Sequence, residues 1–130
     1  MPAFSQTSMH RLDSCHKELQ ALFLEVVRTF DCSIVDGHRG EKRQQELFNA
    51  VPQRSKVQWP NSRHNSKPSG AVDVAPYPID WNDTDRFYFF GGYVLGLARM
   101  LGIKVRWGGD WDRDTQVQDH TFKVLPHYEL

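Results

Sequence analysis

Ala71-Val72-Asp73-Val74-Ala75 is a short, apolar, β-branched run that reads as a buried strand. Its middle residue does not belong in such a run. A carboxylate there has no charged neighbour within the run, and burying it costs several kcal/mol unless it is paired or binds a metal. His64 lies nine residues upstream in Asn61-Ser62-Arg63-His64-Asn65, and His127 opens the terminal strand-like His127-Tyr128-Glu129-Leu130. Two imidazoles and one carboxylate make a three-ligand zinc set with the fourth position free for water, the pattern of a catalytic zinc site. A structural site would need a fourth protein ligand.

Outward from this strand, the pattern alternates helices with strands. Leu12, Cys15, Leu19, Leu22, Phe23, Val26, Val27 and Phe30 recur by threes and fours, predicting one amphipathic helix that starts near Asp13 or Ser14. Ser33–Asp36 reads as a strand closed by Gly37, and Glu41–Ala50 as a shorter helix with Leu47 and Phe48 on its buried side. The polar, turn-rich stretch from Val51 to Gly70 is a long loop, and loops of that length in a small domain are usually functional. Asn82 or Asp83 is placed to cap a third helix reaching about Leu101, with Gly102 at its C′ position. Ile103–Trp107 then alternates as a strand, an Asp-rich loop follows, and the chain closes on the strand of His127. Helices packed on one small sheet that carries the ligands make this an α+β fold.

The 130 residues are expected to form a single domain over positions 1–130, burying roughly two-thirds of the unfolded surface. Lys+Arg and Asp+Glu balance at 16 each, which gives no basic field for nucleic acid. No hydrophobic stretch reaches the length of a membrane span, so membrane insertion is not expected. The opening residues lack the basic-then-apolar shape of a secretion signal, so synthesis in the cytoplasm is the expectation. Cys15 and Cys32 form neither a disulfide framework nor a CxxC pair and read as small core residues.

Several longer motifs carry a family resemblance: Val35-Asp36-Gly37-His38-Arg39-Gly40 with Gln44 nearby, Trp59-Pro60-Asn61-Ser62-Arg63-His64-Asn65, and Ala71–Pro78. They continue in Arg106-Trp107-Gly108-Gly109-Asp110-Trp111 and Pro126-His127-Tyr128-Glu129-Leu130. Over nearly its whole length the chain resembles the phage endolysin branch of the D-alanyl-D-alanine carboxypeptidase family, L-alanyl-D-glutamate endopeptidases that cut bacterial peptidoglycan. The resemblance implies a Hedgehog/DD-peptidase fold with a small, mostly antiparallel sheet and one catalytic zinc held by His64, Asp73 and His127. It also implies that Arg39 steadies the substrate or the developing oxyanion. The implied setting is the host cytoplasm, with a separate membrane-permeabilising partner giving a monomeric enzyme access to the wall.

One position departs from the family pattern. The general base, an aspartate or glutamate three residues before the last zinc histidine, is Val124 here. Valine takes no proton from water, and such proton shuttling is worth typically ~10²–10⁴ in rate. Glu129, Asp119 and His120 are the candidates to replace it; His120, seven residues before His127, is the most interesting because imidazole carries protons at neutral pH. Glu129 shares a strand face with His127 and is alternatively a group that orients the histidine. The rival to a peptidase is a module of the same fold that binds the cell wall, or belongs to the virion, with catalysis impaired at Val124. Asp110, Asp112 and Asp114 imitate the start of a calcium loop, but Thr115 and Thr121 stand where its glycine and glutamate belong, so turn formation is the expectation. Tyr77, Trp107 and Trp111 are either groove-lining or packing aromatics.

Overall fold

The apolar period that begins at Leu12 runs across two helices instead of one. In the computed structural model, which describes residues 2–113, 115 and 124–130, α1 spans Gln6–Asp13 and α2 spans Lys17–Val27. Ser5 caps α1 by accepting from the Ser8 amide at 3.1 Å. The backbone of residues 14–16 leaves the helical path to pair with Ser69: Ser69 N donates to Ser14 O, and His16 N donates to Ser69 O, both at 2.9 Å. His16 then caps α2 through Nδ1, which accepts from Glu18 N. Leu12, Cys15 and Leu19 all enter the same core on either side of the break, so the apolar spacing survives it.

β1 (Cys32–Asp36), α3 (Glu41–Asn49) and β2 (Ala71–Pro76) follow, with a 3₁₀ turn at Arg63–Asn65 inside the long loop. α4 covers Thr84–Leu101, capped by Asp83, whose side chain accepts from Arg86 N at 3.2 Å. It ends at Gly102, whose φ of 72° is the left-handed conformation expected of a C′ glycine. Ile103 N then bonds Ala98 O at 2.9 Å, so residues 103–105 belong to the helix exit, and β3 is confined to Arg106–Gly108. β4 is longer than expected, Val124–Glu129.

Among the described residues the sheet has four antiparallel strands in the order β1-β2-β4-β3. One face is the core. Val72, Tyr128 and Trp107 lie in register across β2, β4 and β3, and α2 and α4 cover them with Leu19, Leu22, Phe23, Val26, Phe90 and Val94. Phe23 meets Tyr128 edge-on, ring centroids 5.3 Å apart. α4 approaches closely enough that a Cβ on Gly91 would fall 2.3 Å from the Trp107 ring, so only glycine fits there. No helix among the described residues is long and apolar enough to cross a membrane.

Two irregularities shape the other face. Ile34 pairs with Val74 on the core side, and strict alternation would then put Asp36 in the core too. A bulge between Ile34 and Asp36 sets Asp36 opposite Asp73 instead, turning its carboxylate to the polar face. In β4 the register against β3 jumps from Trp107↔Tyr128 to Gly108↔Val124, so Leu125–His127 bow away from β3, with the Trp107 indole N–H donating to Leu125 O at 2.7 Å.

Candidate metal centre

β2 and β4 place Asp73 directly opposite His127, and the 3₁₀ turn brings His64 over both. That turn is held by a reciprocal cap: His64 N donates to Ser62 Oγ at 3.2 Å and Ser62 N to Asn65 Oδ1 at 3.0 Å. Three donor atoms converge: His64 Nε2 and His127 Nδ1 are 3.3 Å apart, His64 Nε2 and Asp73 Oδ1 3.3 Å, and His127 Nδ1 and Asp73 Oδ1 3.2 Å. A tetrahedral ion with ligands at about 2.0–2.1 Å has donor–donor edges of about 3.3–3.4 Å. The triangle therefore has the size of one face of a zinc coordination tetrahedron, and the donor set suits a metal ion.

The outward side of each donor is also fixed. His64 Nδ1 donates to the Gly37 carbonyl at 2.7 Å, which leaves Nε2 as the lone-pair nitrogen facing the centre. His127 Nε2 donates to Glu129 Oε1 at 2.8 Å, which turns Nδ1 inward. Asp73 Oδ2 accepts from Arg39 Nη2 at 3.1 Å. The Asp73 carboxylate thus has a cationic partner after all, supplied by a different strand end.

Electrostatics follow from this geometry. Burial works to raise the Asp73 pKa, but hydrogen bonds and charge from His127 and His64 outweigh it and hold the carboxyl well below its usual range. Burial likewise disfavours charge on His127, yet Asp73 and Glu129 raise it to about 9. Glu129, lifted by burial, is pulled down to about 2 by His127 and Arg106. The two carboxylates thus make the position between the donors favourable for positive charge.

Arg39, which the resemblance implies steadies the substrate or the oxyanion, stands beside the centre and is held there by the protein. Its side chain is only 12% exposed, Nε donates to Asp36 Oδ2 at 2.6 Å, Nη2 to Asp73, and Nη1 to Gln44 Oε1 at 3.4 Å. Glu129 uses both oxygens: Oε1 on His127, Oε2 on Arg106 Nη2 at 2.6 Å. Trp111 adjoins the centre, its ring 5.6 Å from that of His127 and 5.4 Å from the Arg106 guanidinium carbon. Trp107 is core, and Tyr77 sits beyond the far end of β2, bonded to Asp31 O. Asp110 closes a turn by accepting from Thr115 N. Val124 opens β4, half-buried. His120, Asp119 and Asp114 lie outside the described residues.

A family model described as phage L-alanyl-D-glutamate peptidase matches residues 2–130. The chain belongs to the phage L-alanyl-D-glutamate peptidase family. It is 30% identical to the L-alanyl-D-glutamate peptidase of Escherichia phage T5, with 89% of this chain and 86% of that protein covered. It is also similar to the crystal structure of the Serratia marcescens L-Ala D-Glu endopeptidase ChiX: TM-score 0.74, 27% identity, 99% of this chain and 90% of that one.

The centre of this family member also rests on residues that stand in the quoted motifs but to which the sequence assigned no role. Gln44 is fully buried on α3, beside Leu47. Its oxygen accepts from Arg39 Nη1 and Asn65 Nδ2, and its nitrogen donates to Ser55 Oγ at 2.7 Å and Val57 O at 2.8 Å. A glutamine at i relative to an apolar i+3, on a helix otherwise so polar, was the available signal. Asp36 and Arg106 gave no comparable signal, because the first depends on the β1 bulge and the second on strand register.

Proposed function

We propose that this chain is a zinc-dependent peptidoglycan peptidase that hydrolyses the L-alanyl–D-glutamate bond of the wall stem peptide. One observation carries the reading: three donors at tetrahedral spacing, each locked from behind by its own partner, within a chain of the phage L-alanyl-D-glutamate peptidase family. His64, Asp73 and His127 would hold the ion. When bound, zinc supplies Lewis acidity toward a carbonyl and acidifies water.

The protein's own groups do the positioning. Gly37 O and Glu129 fix the two histidine tautomers, and Arg39, steadied by Asp36 and Gln44, fixes the carboxylate. Trp111 shields the His127 side. Glu129 is committed to His127 and Arg106 and is a positioning residue in this reading. With Val124 at the family's base position, the enzyme works without that carboxylate and is slow. In the phage setting it acts as a monomer on the wall, after the host membrane has been permeabilised.

Val124 also favours a second reading, a wall-binding module of the same fold with impaired catalysis. Digestion of purified peptidoglycan with mass analysis of the products separates the two. Peptides with a new N-terminal D-glutamate, abolished by chelator and restored by zinc, support the peptidase. Wall binding without any cleavage supports the module.

A further inference from the structure

Arg39 is bonded to Asp36, Asp73 and Gln44, whereas a second, exposed guanidinium near the centre is not so engaged. Two further arginines reach the centre through Glu129, and they compete for one oxygen. Arg106 Nη2 takes Glu129 Oε2 at 2.6 Å. Arg63 Nε stands 3.7 Å from that same oxygen, outside hydrogen-bond distance, with its side chain 64% exposed. Among the described residues this is the one ionic contact of the Arg63 side chain. Its backbone is hydrogen-bonded nonetheless. Arg63 belongs to the capped 3₁₀ turn, directly precedes the ligand His64, and its carbonyl accepts from Gly70 N at 3.0 Å. A guanidinium with open donors is thus anchored one residue from a metal ligand.

Charge points the same way. Asp36, Asp73 and Glu129 are matched by Arg39, Arg63 and Arg106, so a bound dication leaves the centre positive and suited to an anion. A glutamate acylated on its nitrogen carries two carboxyl groups, and a stem peptide continues through only one of them. The other is a free anion. If it is the α-carboxylate, it lies beside the scissile amide.

We propose that Arg63 is a specificity-determining residue that receives the free α-carboxylate of D-glutamate on the leaving side of the scissile bond. The proposal rests on the peptidase reading above. The fork of a guanidinium matches a carboxylate bidentately, whereas a carboxamide offers one acceptor and no charge.

The test compares two synthetic stem peptides, one with D-glutamate and one with D-isoglutamine, in which that carboxyl is an amide. Zinc-loaded wild type should favour the carboxylate about 10–100-fold in kcat/KM, the worth of a charge-assisted pair. The difference should sit in KM. Arg63→Gln should bring the ratio to about twofold or less with zinc content unchanged, and Arg63→Lys should fall between, a point charge in place of a fork. A wild type that does not discriminate, or a preference that survives in Arg63→Gln, overturns the proposal. If the wild type cleaves neither peptide, calorimetric binding of the two to the zinc-loaded protein decides. A carboxylate preference lost in Arg63→Gln then sustains the role of Arg63 while the peptidase reading falls, and equal binding overturns it.

Discussion

Asp73 and His127 face each other across neighbouring antiparallel strands, paired in register, with Oδ1 and Nδ1 3.2 Å apart. The backbone ladder therefore sets the spacing of two donors before any ion arrives. A preformed site binds without refolding, so zinc should raise the melting temperature by mass action, about 2.7 kcal/mol of stabilisation at 100 times the dissociation constant. Far-UV circular dichroism should not change on adding zinc. Asp73→Ala should lose the zinc-induced shift. A large gain of secondary structure with zinc would show that the centre is not preformed.

The position of Val124 gives a gain-of-function prediction. Val124→Asp should raise the rate of peptidoglycan hydrolysis by ~10–10³-fold, within the usual range for general-base catalysis. A brisk wild type whose rate is unmoved by Val124→Asp would assign the base elsewhere. His120→Ala would then test the remaining histidine candidate.

Gln44 offers a stability prediction. Gln44→Met keeps the volume but removes the acceptor for Arg39 and Asn65 and the donor for Ser55 and Val57. Leaving such buried groups unpaired costs about 1–3 kcal/mol, which urea unfolding of the metal-free protein would read directly. A change under about 0.5 kcal/mol, the level of ordinary surface substitutions, would mean that the network contributes nothing.

Burial pushes the Cys32 thiol up to about 12 and the Cys15 thiol up to about 11. Both side chains are also out of solvent. Thiolate is the reactive form, so at pH 8 the native protein should be almost inert to a thiol reagent, with full reaction after denaturation. Rapid labelling of either cysteine in the native state would contradict the packing around α1, α2 and β1.

What the sequence made legible was local. The buried run around Asp73, the Asp83 cap and the Gly102 stop of α4 all follow from nearest-neighbour chemistry, and each stands where expected. The break between α1 and α2 was hidden because its cause, Ser69, lies far along the chain while the apolar period continues undisturbed. The extent of β3 was overread because alternation in Ile103–Trp107 also fits a helix exit that turns Val105 and Trp107 inward. At the centre, residue types announced the three metal candidates and strand alternation announced Glu129 beside His127, but the arginine partners of the carboxylates were not legible. Arg39 bonds both Asp73 and an Asp36 that a bulge in β1 turns to the polar face, and Glu129 meets Arg106 through the register of β3 on β4.

The most direct test of the account is zinc stoichiometry. Protein grown in zinc-replete medium and analysed for metal should carry one zinc per chain. His64→Ala, Asp73→Ala and His127→Ala should each carry under a tenth of an equivalent, while Glu129→Gln should still bind with roughly 10–100-fold weaker affinity, as for other groups that orient a ligand. A wild type with under a tenth of an equivalent, or a His127→Ala variant with full zinc content, would contradict the three-ligand centre.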